Sequence, residues 1–203
     1  MLKIKYFIQQ SWLLVVSAFV FGLLIAVTNA ALIDRINANN ANKVTDKLKS
    51  LMPDANEFPK QESVTIKSQK HADVDVEIYK AVSDGQCQGW AFKAFGAGFT
   101  DKITLIVVVD KSFEKIVGFS VLASNETPGF GDRISNSFYR DQFAGAPTEK
   151  LNLTKTGDAD EIDSDIVAIS GATVSSQAVV DIINNTMLQL KNKMLEKGMI
   201  QDE

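Results

Sequence analysis

Ser170-Gly171-Ala172-Thr173 is the stretch whose residue types could hold a charged group, because it sits between a short apolar run, residues 166–169, and a long amphipathic one. A helix starting here presents unpaired backbone N–H groups and the positive end of its dipole, which together favour a phosphate or another anion. Gly171 lets the backbone approach a ligand closely. Thr173, Ser175 and Ser176 add hydroxyls that either bond phosphate oxygens or cap the helix. Taken alone, the tetrapeptide reads more readily as an N-cap than as an anion site.

A second stretch, Glu126-Thr-Pro-Gly-Phe-Gly-Asp132, breaks the surrounding β pattern with one proline and two glycines, so it is a loop whose backbone adopts conformations that most residues avoid. Cys87 is the single cysteine, which excludes an internal disulfide and a thiolate-held cluster. His71 is the single histidine and lies in a polar stretch, where it reads as a solvated residue rather than a metal ligand. Redox chemistry must therefore be carried by a borrowed group. With 21 basic and 25 acidic residues the chain has no basic surplus for a phosphate backbone, and nucleic acid is not an expected partner.

The elements that position these stretches can be read from periodicity. No charged residue occurs from Tyr6 to Ile33, longer than the ~20 residues a bilayer-crossing helix requires. Lys3 and Lys5 precede this run, while Asp34 and Arg35 cancel after it, so the N-terminus is expected in the cytoplasm and the remainder outside. A cleaved signal peptide ending near Thr28-Asn29-Ala30 is the competing reading and leaves the folded part on the same side. The expected division is residues 1–34 as N-terminus and transmembrane helix, 35–60 as a stalk or linker helix, and 61–203 as an extracytoplasmic domain.

Within that domain, residues 73–80 alternate as one half-exposed strand. Residues 90–95 continue the β pattern after the Asp84-Gly85 turn, and 103–109 (ITLIVVV) read as a central strand buried on both faces. The short connection to 116–123 makes an antiparallel hairpin. Residues 138–143 suggest a turn of helix, and 150–153 and 166–169 short strands. Val179, Ile183, Met187, Leu190 and Met194 then mark an amphipathic helix over 177–197. The fold class is α+β, an antiparallel sheet with helices packed against it.

The order of these signals carries a resemblance. The 126–132 loop, the Ser170–Thr173 motif, Gly89-Trp-Ala-Phe with Gly98-Phe99, and the 103–110 strand, all behind one N-terminal anchor, resemble the FMN-binding G subunit of Rnf electron-transport complexes (the RnfG family) along essentially the whole chain. The resemblance implies one FMN esterified through its phosphate to Thr173, installed from FAD by a separate flavin transferase with magnesium. Around it, Ser170, Gly171, Ala172, Val174, Ser175 and Ser176 form the attachment segment. Glu126, Thr127, Gly129, Phe130 and Gly131 form the loop beside the flavin, with Glu126 either bonding the cofactor or standing solvated. Phe130 and Trp90 either pack on the isoalloxazine or fill the core, the latter being the foremost reading for Trp90. Val167 stands where the family commonly has an aspartate, with Asp165 two residues earlier, a departure in the sequence that the transferase reads.

The implied function is electron transfer among membrane subunits of a ferredoxin:NAD oxidoreductase that moves Na+ or H+, with no catalytic acid or base in this chain and the cell inner membrane as its location. The related C subunit of the Na+-pumping NADH:quinone reductase (NqrC) is the nearest alternative. An anchored binding or scaffold module without cofactor comes from a different class.

Overall fold

The computed structural model describes residues 2–66 and 74–200. His71 and the polar stretch 68–73 lie outside the described residues. The elements in order are α1 (Leu2–Leu51), β1 (Val64–Ile66), β2 (Val74–Val76), β3 (Ile78–Ser83), β4 (Gln86–Ala97), β5 (Lys102–Asp110), β6 (Ile116–Ala123), α2 (Ser137–Arg140), β7 (Asn152–Thr154), β8 (Asp165–Val167) and α3 (Thr173–Glu196). Short 3-10 turns at Gly131–Ser135 and Asp141–Phe143 flank α2.

The chain divides into two compact units, Met1–Lys43 and Val44–Glu203. In the first, large apolar side chains such as Leu14, Phe19 and Ile25 point outward, away from any protein core. Ser17 and Thr28 turn their hydroxyls back onto the carbonyls of Leu13 and Leu24, so these polar side chains are satisfied within the helix itself. The segment Ser11–Leu51 is long and apolar enough to cross a bilayer. The helix α1 continues without a break from the apolar run through the tract expected as a stalk or linker helix, and ends at Leu51. Nothing in the Asn- and Lys-rich tract stops it: the first proline is Pro53, which disfavours helical geometry at Met52.

The second unit is built on the antiparallel sheet β3-β4-β5-β6. One face carries Trp90, Phe92 and Ala94 of β4 with Leu105, Val107 and Val109 of β5, in one cluster with Val179, Ile183, Met187, Leu190 and Met194 of α3. Those five α3 residues are the expected helical stripe, and all are buried. The opposite face, Ala91, Ile106 and Val108, packs with Val44 and Leu48 at the end of α1. Strand β5 is therefore buried on both sides, the reason its sequence is a continuous apolar run rather than an alternation.

Two details differ from the sequence expectation. The single strand read over 73–80 is broken at Glu77: Val74–Val76 pairs with β1, whereas Ile78–Ser83 pairs with β4. Alternation reports which face a side chain takes, and that face persists while the hydrogen-bonding partner changes. The strands β7 and β8 pair parallel, outside the antiparallel sheet. A side-chain amide meets the backbone at the end of β8 and another at Leu151, just before β7. Gln142 accepts from Val167 N at 2.8 Å and donates to Val167 O at 3.3 Å. Asn184 accepts from Leu151 N at 2.9 Å and donates to Leu151 O at 2.8 Å.

Candidate functional site

Strand β8 ends at Val167, and the chain turns through Ser170 and Gly171 into α3, whose first residue is Thr173. Gly171 has φ of 81°, a left-handed conformation that a Cβ disfavours. The turn is braced from inside by Ser176, whose buried hydroxyl accepts from Ile169 N at 3.1 Å and donates to Ala172 O at 3.0 Å. The helix has no side-chain cap, so its first backbone N–H groups stay available for an anion.

The three candidate hydroxyls thus separate. Ser176 braces the turn, and Ser175 donates to Glu126 Oε2 at 2.5 Å. The Thr173 hydroxyl makes no hydrogen bond among the described residues. Of these three it is the one free to react or to bond a ligand. The capping role open to these residues is taken by none of them.

Opposite this turn stands the 126–131 loop. Its backbone reverses through Phe130 N donating to Thr127 O at 3.2 Å, with Gly129 at φ of 79°. Phe130 is 57% exposed, which rules out its filling the core. Its ring lies over Gly171, where an added Cβ would stand 3.4 Å from Phe130 Cδ1. Arg133 reaches from the following turn to Ser170 O at 3.5 Å.

A cleft of about 460 Å³ lies between these segments, lined by Phe99, Thr127, Phe130, Gly131, Gly171, Ala172, Thr173, Val174 and Ser175. The structure therefore brings together most of the expected site residues from two stretches that lie some forty positions apart. Ser170 and Gly129 belong to the flanking turns, and Ser176 lies beneath. Glu126 is neither solvated nor at the cleft surface, being 5% exposed and engaged by Ser175 and by the backbone N–H of Thr100. Trp90, 5% exposed, belongs to the core and does not line the cleft. Phe99 was not among the expected ligand-facing residues, although it is 66% exposed and lines the cleft. Its signal was a phenylalanine set between a glycine and a polar turn, with no apolar periodicity to account for it.

Asp101 belongs to the same turn as Phe99, which Gly98 N closes by donating to Asp101 O at 2.8 Å. The Asn125 amide donates to Asp101 Oδ2 at 2.8 Å and, with a backbone donor from Lys102, holds the Asp101 carboxyl below its ordinary range. Tyr139 lies under the motif, and its hydroxyl donates to Ser176 O at 2.9 Å.

This arrangement fits a flavin mononucleotide. An uncapped helix end suits its phosphate, exposed Phe99 and Phe130 offer apolar surface to a planar ring, and the glycines at 131 and 171 leave the backbone close to the cleft. The comparison with known families agrees: the FMN-binding domain matches residues 98–187, a span containing every residue that lines the cleft. The G subunit of an ion-translocating oxidoreductase complex from Methanosarcina acetivorans is 32% identical over 181 residues, covering 86% of this chain and 89% of that one. The G subunit of a Na(+)-translocating ferredoxin:NAD(+) oxidoreductase complex from Acetobacterium woodii is 27% identical over 187 residues, covering 89% of each. Among solved structures, NqrC of Shewanella oneidensis aligns with a TM-score of 0.55 at 25% identity, over 70% of this chain and 73% of that one. The chain belongs to the RnfG family, the G subunits of ion-translocating oxidoreductase complexes.

Proposed function

We propose that this chain is the flavin-bearing electron-transfer subunit of a membrane-bound ferredoxin:NAD oxidoreductase coupled to Na+ or H+ movement, with one FMN joined through its phosphate to Thr173. The observation that carries the reading is the unengaged Thr173 hydroxyl at the start of an uncapped helix, facing a cleft rimmed by Phe99 and Phe130. When bound, the isoalloxazine supplies the redox chemistry. The chain's own residues hold and orient it. The N–H groups of the first turn of α3 stabilise the remaining phosphodiester charge, while Phe99 and Phe130 shield the ring from water.

Attachment is a group transfer. The Thr173 oxygen displaces AMP from the FMN phosphorus of FAD, on a flavin transferase that takes the hydroxyl proton. Val167 stands in the segment the transferase reads where an aspartate is usual, so the efficiency of attachment is the step this departure bears on. Covalent attachment also prevents loss of a cofactor outside the cytoplasm, where Lys3 and Lys5 before the apolar run direct the Val44–Glu203 unit. The partners in this reading are the other membrane subunits of an Rnf complex.

The decisive measurement is intact mass of protein made in cells that possess a transferase. An FMN-sized increment on the peptide containing Ser170–Ser176, together with in-gel fluorescence that survives denaturation and is absent from Thr173→Ala, is the expected result. A bare peptide in the wild type overturns it. The likeness to the NqrC structure favours a second reading, a subunit of a Na+-translocating NADH:quinone reductase. Identification of the subunits that co-purify separates the two.

A further inference from the structure

Three separate chain segments wall the cleft: the 98–101 turn carrying Phe99, the 126–131 loop carrying Thr127 and Phe130, and the first turn of α3 carrying Thr173 and Val174. Neither the 98–101 turn nor the 126–130 loop belongs to a strand, and the helix end lacks a side-chain cap. Left to themselves such segments fray, because loops and helix ends are the least protected parts of a fold. One buried side chain joins all three. Glu126 begins the loop, its Oε1 accepts from Thr100 N at 3.0 Å, and its Oε2 accepts from Ser175 Oγ at 2.5 Å.

The surrounding glycines show how closely the carboxylate is enclosed. A Cβ at Gly98 would collide with Glu126 Oε1. A Cβ at Gly131 would meet Ser175 Oγ at 2.6 Å and Glu126 Oε2 at 2.7 Å. On both sides, then, the backbone has room for the carboxylate only because no side chain is present. No Lys or Arg pairs with Glu126 among the described residues, so its two oxygens are held by a backbone N–H and a hydroxyl. Hydrogen bonds to a carboxylate are the strong ones, and a buried one left unmade is costly.

We infer that Glu126 is a positioning residue of the flavin site: it does not touch the cofactor but ties the Phe99 turn to the first turn of α3, fixing the distance between the cleft walls and the presentation of the Thr173 hydroxyl. The inference rests on the proposed attachment at Thr173. It accounts for an acidic residue at the head of the loop whose carboxylate points inward, and for Ser175, whose hydroxyl is spent on that carboxylate instead of on a ligand.

The test uses the full chain in detergent with purified flavin transferase, FAD and magnesium. Glu126→Leu removes both acceptors at similar volume, and covalent flavin should form roughly tenfold more slowly, whereas Glu126→Gln, which retains an acceptor for Thr100 N and offers Ser175 Oγ a donor, should stay within about twofold of wild type. Hydrogen exchange on the flavin-free protein gives an independent reading. In Glu126→Leu the bonded amides of Thr100 and Ser176 should lose protection together while those of β4 and β5 keep theirs. In Ser175→Ala only the helix side should loosen, and this milder variant decides the matter should Glu126→Leu fail to fold. Wild-type attachment rates in Glu126→Leu, unchanged exchange in either segment, or equal loss in the Gln and Leu variants would overturn the inference. A wild type that accepts no flavin counts against attachment at Thr173 instead, and the exchange data then still decide whether the tie exists.

Discussion

The hydroxyl of Tyr139 donates to the backbone carbonyl of Ser176 at 2.9 Å, joining α2 to the first turns of α3 beneath the motif. The ring itself is held edge-on to Phe119, at 6.4 Å, and to Phe143, at 5.4 Å. Burial pushes its ionisation well above the usual tyrosine range, so it remains a proton donor under working conditions. Tyr139→Phe keeps the ring contacts and deletes the donor, which should destabilise the domain by about 1 kcal/mol. Urea unfolding followed by tryptophan fluorescence measures this, and an unchanged midpoint would show that the bond carries no weight.

Gly171 separates a backbone requirement from a space requirement. At φ of 81° any side chain is strained, yet an added Cβ meets only the Phe130 ring, at an ordinary 3.4 Å from Cδ1 and 3.7 Å from Cε1. Gly171→Ala should therefore cost about 1 kcal/mol of stability and still accept flavin. Gly171→Val adds branched methyls against Phe130 and a cost of roughly 1–3 kcal/mol for a β-branched residue in this conformation. Covalent flavin should be lost in Val and retained in Ala. Equal labelling of both variants would contradict the geometry.

Gly129 and Gly131 lie in one loop but make opposite demands. A Cβ at Gly129 meets nothing within 4 Å, so alanine there adds only the strain of φ 79°, about 1 kcal/mol. Alanine at Gly131 collides with both Ser175 and Glu126, and overpacking of this kind costs typically 1–3 kcal/mol. Flavin attachment should survive the first substitution and fail in the second, as read by in-gel fluorescence at matched protein loading.

Asp101 provides a pH signature. The Asn125 amide first, and a backbone donor second, lower its carboxyl below the ordinary value of 3.8. A depressed folded-state pKa means that the link stabilises the fold above the unfolded pKa and that its contribution disappears as pH falls through the folded value. Asn125→Ala should move the Asp101 titration upward toward 3.8, visible by carboxyl-carbon NMR. A titration unaffected by that substitution would show that the amide does not hold Asp101.

Much of this architecture could be read from residue order. The β5 run, its hairpin to β6 and the α3 stripe each follow from periodicity, since burial on two faces, on one face or along one helical side leaves a distinct pattern. The parallel pairing of β7 with β8 left none, because three-residue strands have too little alternation to declare a partner. Of the cleft lining, Thr173, Gly131 and Gly171 can be named from type and order. The inward turn of Glu126 cannot, since a loop carboxylate beside proline and glycine has the composition of a solvated residue. Its burial depends on the absence of Cβ atoms at Gly98 and Gly131, a relation across distant positions. Trp90, whose foremost reading from the sequence is a core residue, packs in the core.

The small β7-β8 pair has a consequence for the behaviour of the protein in a crowded assembly. Short strands with open edges invite a strand from another chain to dock and extend the ladder. Here the carboxamides of Gln142 and Asn184 each occupy both the donor and the acceptor of one residue, Val167 at the end of β8 and Leu151 just before β7, so a visiting strand finds no free pair at either position. Two neutral side chains thus cover backbone groups on either side of the strand pair that leads into the Ser170–Thr173 turn.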